Sequence, residues 1–301
     1  MKLSTVLLAV ILAHPCCVVA AESVATEVAA AAGAKTEPHR IAASVYPIAM
    51  LVEEVGGDKV TVTTIIPPGV DPHHFEISPS SMKAVYESDA VFLVGADFDS
   101  YIIGEEPLGA QIRVEFCESL SDSLIELGHT FNPHFWLDPV LAGKMGECIG
   151  RTLIAIDYDN HSYYEKRIAR FAARMDSLNA DVKERLAASG FKTFVSFHPA
   201  WTYFARRYGL TEVGVVEKYP EHEPSAKWVA GLIREIQRRD VEILIVERAS
   251  DPGVVRSLAK DTGLEVLALD PIGDPNAPGR GDYFALIGHN VDLIERATKG
   301  D

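Results

Sequence analysis

One stretch limits the folds open to this chain more than any other. Between about 160 and 188, Tyr164, Ile168, Phe171, Met175, Leu178, Val182 and Leu186 recur at spacings of three and four. That period predicts one continuous amphipathic helix, stopped by Gly190. At 1.5 Å per residue it extends roughly 40 Å, beyond the usual globular helix. Such a helix is either cover on one domain or a strut between two lobes. The sequence on either side favours the strut, because a strand–helix rhythm stops before it and restarts directly after it.

Ahead of the helix, apolar runs predict strands over 41–46, 60–66 and 91–94. Pro47 opens a helix that buries Ile48, Leu51, Val52 and Val55, and Ser78-Pro79-Ser80-Ser81 starts another. Behind it, strands are expected over 193–197, 211–216, 242–246 and 265–269, with helices over 201–208, from 224, over 251–262 and over 282–297. Alternation at this pace indicates parallel βα units. The fold class expected is α/β, with two similar lobes of mainly parallel sheet joined by one long rigid helix. The divisions read as a signal peptide over 1–21, a flexible leader over 22–38, an N-terminal lobe over 39–159, a linker helix over 160–190 and a C-terminal lobe over 191–301.

The N-terminus supports export. Lys2 precedes an apolar run from Val6 to Leu12 and small residues through Ala21, and the run is too short to span a bilayer. A lipid anchor on Cys16 or Cys17 fits less well, because Ala13-His14-Pro15 lacks the aliphatic and small residues such a site needs. The mature chain is therefore expected in the periplasm or otherwise outside the cytoplasm, with Cys117 and Cys148 left as a pair whose bonding the sequence does not decide. The net charge of -15, from 43 acidic and 28 basic residues, argues against a nucleic-acid surface and suits a protein that handles cations. The chain is expected to work as a monomer.

Four polar residues sit at or beyond strand ends, where open α/β sheets present ligand-binding groups. His73 lies in Pro67-Pro68-Gly69-Val70-Asp71-Pro72-His73-His74, a loop stiffened by proline. His134 follows Pro133 and is walled by Phe135 and Trp136; His198 and Asp270 directly follow the strands over 193–197 and 265–269. Three imidazoles and one carboxylate form a tetrahedral set suited to Zn²⁺. A lone loop histidine is ordinarily structural or solvated; the fourfold repetition of one design carries the reading. His74 points away from its neighbour in extended chain. Glu247 is a spare ligand, or a partner of Arg248 or a helix cap. Asp138 is either a partner of an imidazole or an N-cap. His129, His222, His161, His289 and His39 stand in polar or surface-type surroundings, with His222 the first choice among them for an accessory contact.

These motifs, with Phe197-His198-Pro199-Ala200-Trp201-Thr202-Tyr203-Phe204-Ala205, Tyr208-Gly209-Leu210, Glu223-Pro224-Ser225-Ala226 and Leu269-Asp270-Pro271, resemble the ZnuA/TroA-type solute-binding proteins of zinc and manganese ABC importers over roughly 40–300. The resemblance implies an ion in the cleft between two lobes, held by His73, His134, His198 and Asp270, and an ABC permease as partner. Manganese-type relatives carry glutamate where His198 stands, which favours zinc here and leaves Mn²⁺ as the alternative. Two departures stand out. The region 104–130 has only His129 where many zinc members carry a His-rich loop, and Tyr219-Pro220-Glu221-His222 enlarges another loop. A zinc-dependent hydrolase is the rival of a different class. It needs an open metal position and a base, and no His-Glu-x-x-His occurs.

Overall fold

The computed structural model describes residues 37–70, 75–95, 98–99, 112–218, 224–247 and 252–299. The signal segment, most of the leader, and His73, His74 and His222 lie outside the described residues. Two four-stranded parallel sheets form the frame. The first contains β1 (His39–Ala43), β2 (Val60–Thr64), β3 (Ala90–Leu93) and β4 (Ile112–Glu115), in the order β2-β1-β3-β4. A two-stranded hairpin, β5 (Glu126–Leu127) and β6 (Thr130–Phe131), follows. The second sheet contains β7 (Thr193–Ser196), β8 (Thr211–Val215), β9 (Ile243–Val246) and β10 (Glu265–Ala268), in the order β10-β9-β7-β8. Read from its own first strand, the second sheet repeats the order of the first. In each, the chain reverses its direction of build between the first and third strands, so each sheet opens a crevice at that point.

Besides a single turn at Phe116–Ser119, the α-helices among the described residues are α1 (Tyr46–Gly56), α2 (Pro79–Tyr86), α3 (Pro139–Ile156), α4 (His161–Ser189), α5 (Thr202–Tyr208), α6 (Ala226–Arg239), α7 (Pro252–Thr262) and α8 (Tyr283–Lys299). Alternation along the second sheet separates two apolar layers. Phe194, Ile243 and Ile245 join the large core shared with α1, α3, α4 and α8. Val195, Phe197, Leu244 and Val246 face the other way, onto Leu232 and Ile236 of α6 and Val255 and Leu258 of α7.

The 29 residues of α4 run roughly 43 Å and end at Gly190, whose φ of 76° gives the left-handed stop expected of glycine. Tyr164, Phe171, Met175, Val182 and Leu186 form its buried stripe. Its first half grips the N-terminal side, where Arg167 Nε donates to the Glu54 and Val55 carbonyls at 3.1 and 3.0 Å and Arg174 pairs with Glu54. Its second half grips α8, where Arg185 pairs with Asp292 and Glu295. One rod is thus pinned to α1, which lies between β1 and β2 in the chain, and to α8, which follows β10.

Candidate metal centre

Asn132 comes just before Pro133 and is 1% exposed. Its Nδ2 donates to the Pro199 carbonyl at 2.6 Å, which settles which end of the amide is oxygen. Oδ1 accepts from the His134 backbone N at 3.0 Å and faces His134 Nδ1 at 2.9 Å. That contact places the ring proton on Nδ1 and leaves the Nε2 lone pair facing outward. Burial of His134 against Trp136, ring centroids 5.2 Å apart, fixes the imidazole in its slot.

His198 continues β7 in extended conformation, at φ -132° and ψ 159°. Glu247 follows β9, the strand across the crevice from β7. Its Oε2 lies 3.4 Å from His198 Nδ1, while Oε1 accepts from Trp201 Nε1 at 3.1 Å. Glu247 therefore faces the inner ring nitrogen and orients the imidazole, leaving Nε2 for the crevice. Glu212 lies behind it. Thr202 Oγ1 donates to Glu212 Oε2 at 2.7 Å, and Ser196 Oγ donates to Oε1. Burial raises the Glu212 carboxyl above its ordinary range despite those bonds.

The two outward nitrogens meet. His134 Nε2 and His198 Nε2 stand 3.1 Å apart, one imidazole from each side of the strut. Two ring nitrogens that close are held together by a shared proton or a shared metal cation. Ligands at zinc–nitrogen distances on a tetrahedron are separated by about 3.3 Å. The donor chemistry and the spacing both fit zinc.

Asp270 is placed differently. It follows β10, and the Pro271 carbonyl beside it accepts from Trp136 Nε1 at 2.8 Å, so it belongs to the same wall. Its carboxylate, however, pairs with Arg280 Nη1 at 2.7 Å. Among the described residues, no three His, Cys, Asp or Glu side chains gather to hold an ion. The structure thus joins His134 to His198, keeps Asp270 on Arg280, and leaves His73 outside what it describes.

Of the two readings of Asp138, the cap is the one observed. Its Oδ1 accepts from Val140 N at 2.9 Å at the start of α3 and from Arg207 Nε at 2.8 Å. The side chain is 1% exposed. Arg207→Met leaves that charge buried without its partner and is expected to cost about 2 kcal/mol, measured by urea unfolding. Cys117 and Cys148 are not joined by a disulfide, and Cys117 Sγ donates to Glu115 Oε2 at 4.0 Å. His39 has the polar surroundings expected of it, but inside the protein rather than at its surface. It is 8% exposed, with Nδ1 3.1 Å from Asp89, because β1 is covered on its N-terminal side by the Asp89 and Asp157 carboxylates. Sequence reasoning missed Glu212. Its signal was an acidic residue inside an otherwise apolar strand, which needs internal donors.

Two like-wound sheets on one strut, with an imidazole from each side meeting in the crevice, define a two-lobed α/β binding protein. A sequence profile for the family described as ZnuA, zinc-uptake complex component A, periplasmic, matches residues 41–297, and the chain belongs to that family. The family supplies a component of an uptake complex rather than an enzyme, so the hydrolase reading is set aside. Zinc-binding lipoprotein AdcA of Streptococcus pneumoniae is 24% identical over 277 residues, covering 86% of this chain; the chain spans 55% of that relative's length. High-affinity zinc uptake system protein ZnuA of Bacillus subtilis is 25% identical, with 88% of this chain and 89% of the relative covered. Among solved structures, a zinc-bound deletion mutant of ZnuA superimposes with a TM-score of 0.75 at 26% identity, over 87% of this chain and 98% of that one. FpvC of Pseudomonas aeruginosa in complex with Mn²⁺ matches with the same TM-score and identity, over 87% and 99%.

Proposed function

We propose that this chain is an exported receptor that takes up Zn²⁺ as cargo and hands it to an ABC-type permease. The ligands assigned are His73, His134, His198 and Asp270. The observation that carries the reading is the 3.1 Å approach of His134 Nε2 to His198 Nε2, each ring held on its Nδ1 side by Asn132 or Glu247. The zinc named in the relatives supports the same cargo.

Manganese is the second reading, favoured by the likeness to FpvC with Mn²⁺. Imidazole-rich sets suit zinc and carboxylate-rich ones suit harder ions, which ranks zinc first. Export rests on the signal-type N-terminus. Among the described residues, no helix is long and apolar enough to cross a membrane. A strut pinned at both ends restricts wide opening, so release proceeds by small shifts of the lobes and loops. Protonated imidazole does not ligate, so occupancy falls in acid.

Dialysis of the full chain against equimolar Zn²⁺ and Mn²⁺, followed by elemental analysis, tests the choice. One zinc per chain and no retained manganese is the expected result. Stoichiometric manganese overturns the zinc assignment, and the absence of both metals overturns the receptor reading.

A further inference from the structure

Asp270 is held as firmly as any residue in the crevice. Asn290, fully buried, clasps its backbone on both sides: Oδ1 accepts from Asp270 N at 2.8 Å and Nδ2 donates to Asp270 O at 2.7 Å. The carboxylate is engaged as well. Oδ1 accepts from Ile272 N at 3.0 Å and Gly273 N at 2.9 Å, and Oδ2 accepts from Arg280 Nη1 at 2.7 Å. The approach that leaves the backbone and the amide bonds to Oδ1 undisturbed is at Oδ2, where the guanidinium now stands.

Arg280 is itself placed by its loop. Its backbone N donates to the Ala277 carbonyl at 3.2 Å, and its carbonyl accepts from Asp274 N at 3.1 Å. The next residue, Gly281, offers its carbonyl to Tyr46 Oη at 2.9 Å, at the start of α1 on the other sheet's side. A guanidinium stays charged at every working pH, so it leaves the carboxylate only by moving, never by losing its proton. The side chains are 20% and 14% exposed, which gives Arg280 a route toward solvent.

Building on the cargo reading above, we infer that Arg280 is an internal competitor for the metal. A divalent cation captures Asp270 by displacing the guanidinium from Oδ2, and return of Arg280 to Oδ2 assists release. Arg280 thereby sets the affinity of the site through one specific carboxylate oxygen. The exchange is purely ionic, one singly charged cation leaving as a doubly charged one arrives.

The test is a double-mutant cycle on the full chain, with Zn²⁺ alone titrated against a chromophoric chelator. Arg280→Met is expected to tighten zinc binding about tenfold, the worth of a charge-assisted hydrogen bond no longer lost. In an Asp270→Asn background, the same change is expected to do nothing. Equal tightening in both backgrounds makes Arg280 a distant charge and overturns displacement, as does unchanged or weaker binding in the single variant. Arg280→Gln repeats the cycle if far-UV circular dichroism shows Arg280→Met misfolded. His198→Ala, titrated alongside, loses zinc if the cargo reading holds. If it binds as the parent does, that reading fails whatever Arg280 shows.

Discussion

His134→Ala and His198→Ala are each expected to weaken Zn²⁺ binding at least ~100-fold, more than the 10–100-fold carried by outer partners of metal ligands. Each imidazole offers one lone pair to a point both share, with Nε2 atoms 3.1 Å apart, so neither replaces the other. The double variant is expected to lose little beyond either single one, because one bound ion couples the two sites. Glu247→Gln is a graded control. Its carboxylate faces the Nδ1 side of His198, at 3.4 Å, and accepts from Trp201 Nε1, so its loss costs orientation and about tenfold in affinity. Competition with a chelator measures all four variants. Parent-like zinc affinity in His198→Ala moves the site elsewhere, even though the two rings are neighbours.

The parts of this design that the sequence showed share a physical reason. Parallel strands buried on both faces read as apolar runs, as Ile243–Val246 does, and an amphipathic rod reads as a three–four spacing. β4 was not legible, because Ile-Arg-Val-Glu on an edge strand alternates and all four residues are half-buried. The hairpin strands of two residues each are too short for any period. Within the crevice, the proline-histidine and strand-end pattern pointed to His134 and His198, whose rings the structure brings together. It did not show which ring nitrogen Glu247 faces, since that depends on the pairing of β7 with β9. Nor did it show that Arg280, in a loop of Pro, Gly and Asp, returns ten residues later to the Asp270 carboxylate.

The seam between α3 and the strut yields two substitutions of opposite sign, three residues apart. Glycine in a helix interior costs about 1 kcal/mol against alanine, so Gly143, Gly146 and Gly150 in α3 are individually unfavourable. A Cβ on Gly143 would rest 3.8 Å from Met175 Cβ, an ordinary contact, and Gly143→Ala is therefore expected to stabilise by about 0.5–1 kcal/mol. A Cβ on Gly146 would run into the ring of Phe171, which is 1% exposed and sits on the buried stripe of α4. Backing away means separating α3 from the strut, because the closely packed core leaves Phe171 no alternative place. Gly146→Leu is expected to lose about 3 kcal/mol or more, the upper end of overpacking, with the propensity gain too small to offset it. Thermal and urea unfolding measure both variants. The reason for the glycine reaches the proposed metal site: α3 begins at the Asp138 cap, four residues after His134, so the depth of this seam sets where the first imidazole stands relative to the strut. A Gly146→Leu chain as stable as the parent would mean that α3 and the strut are not held at this distance by their packing.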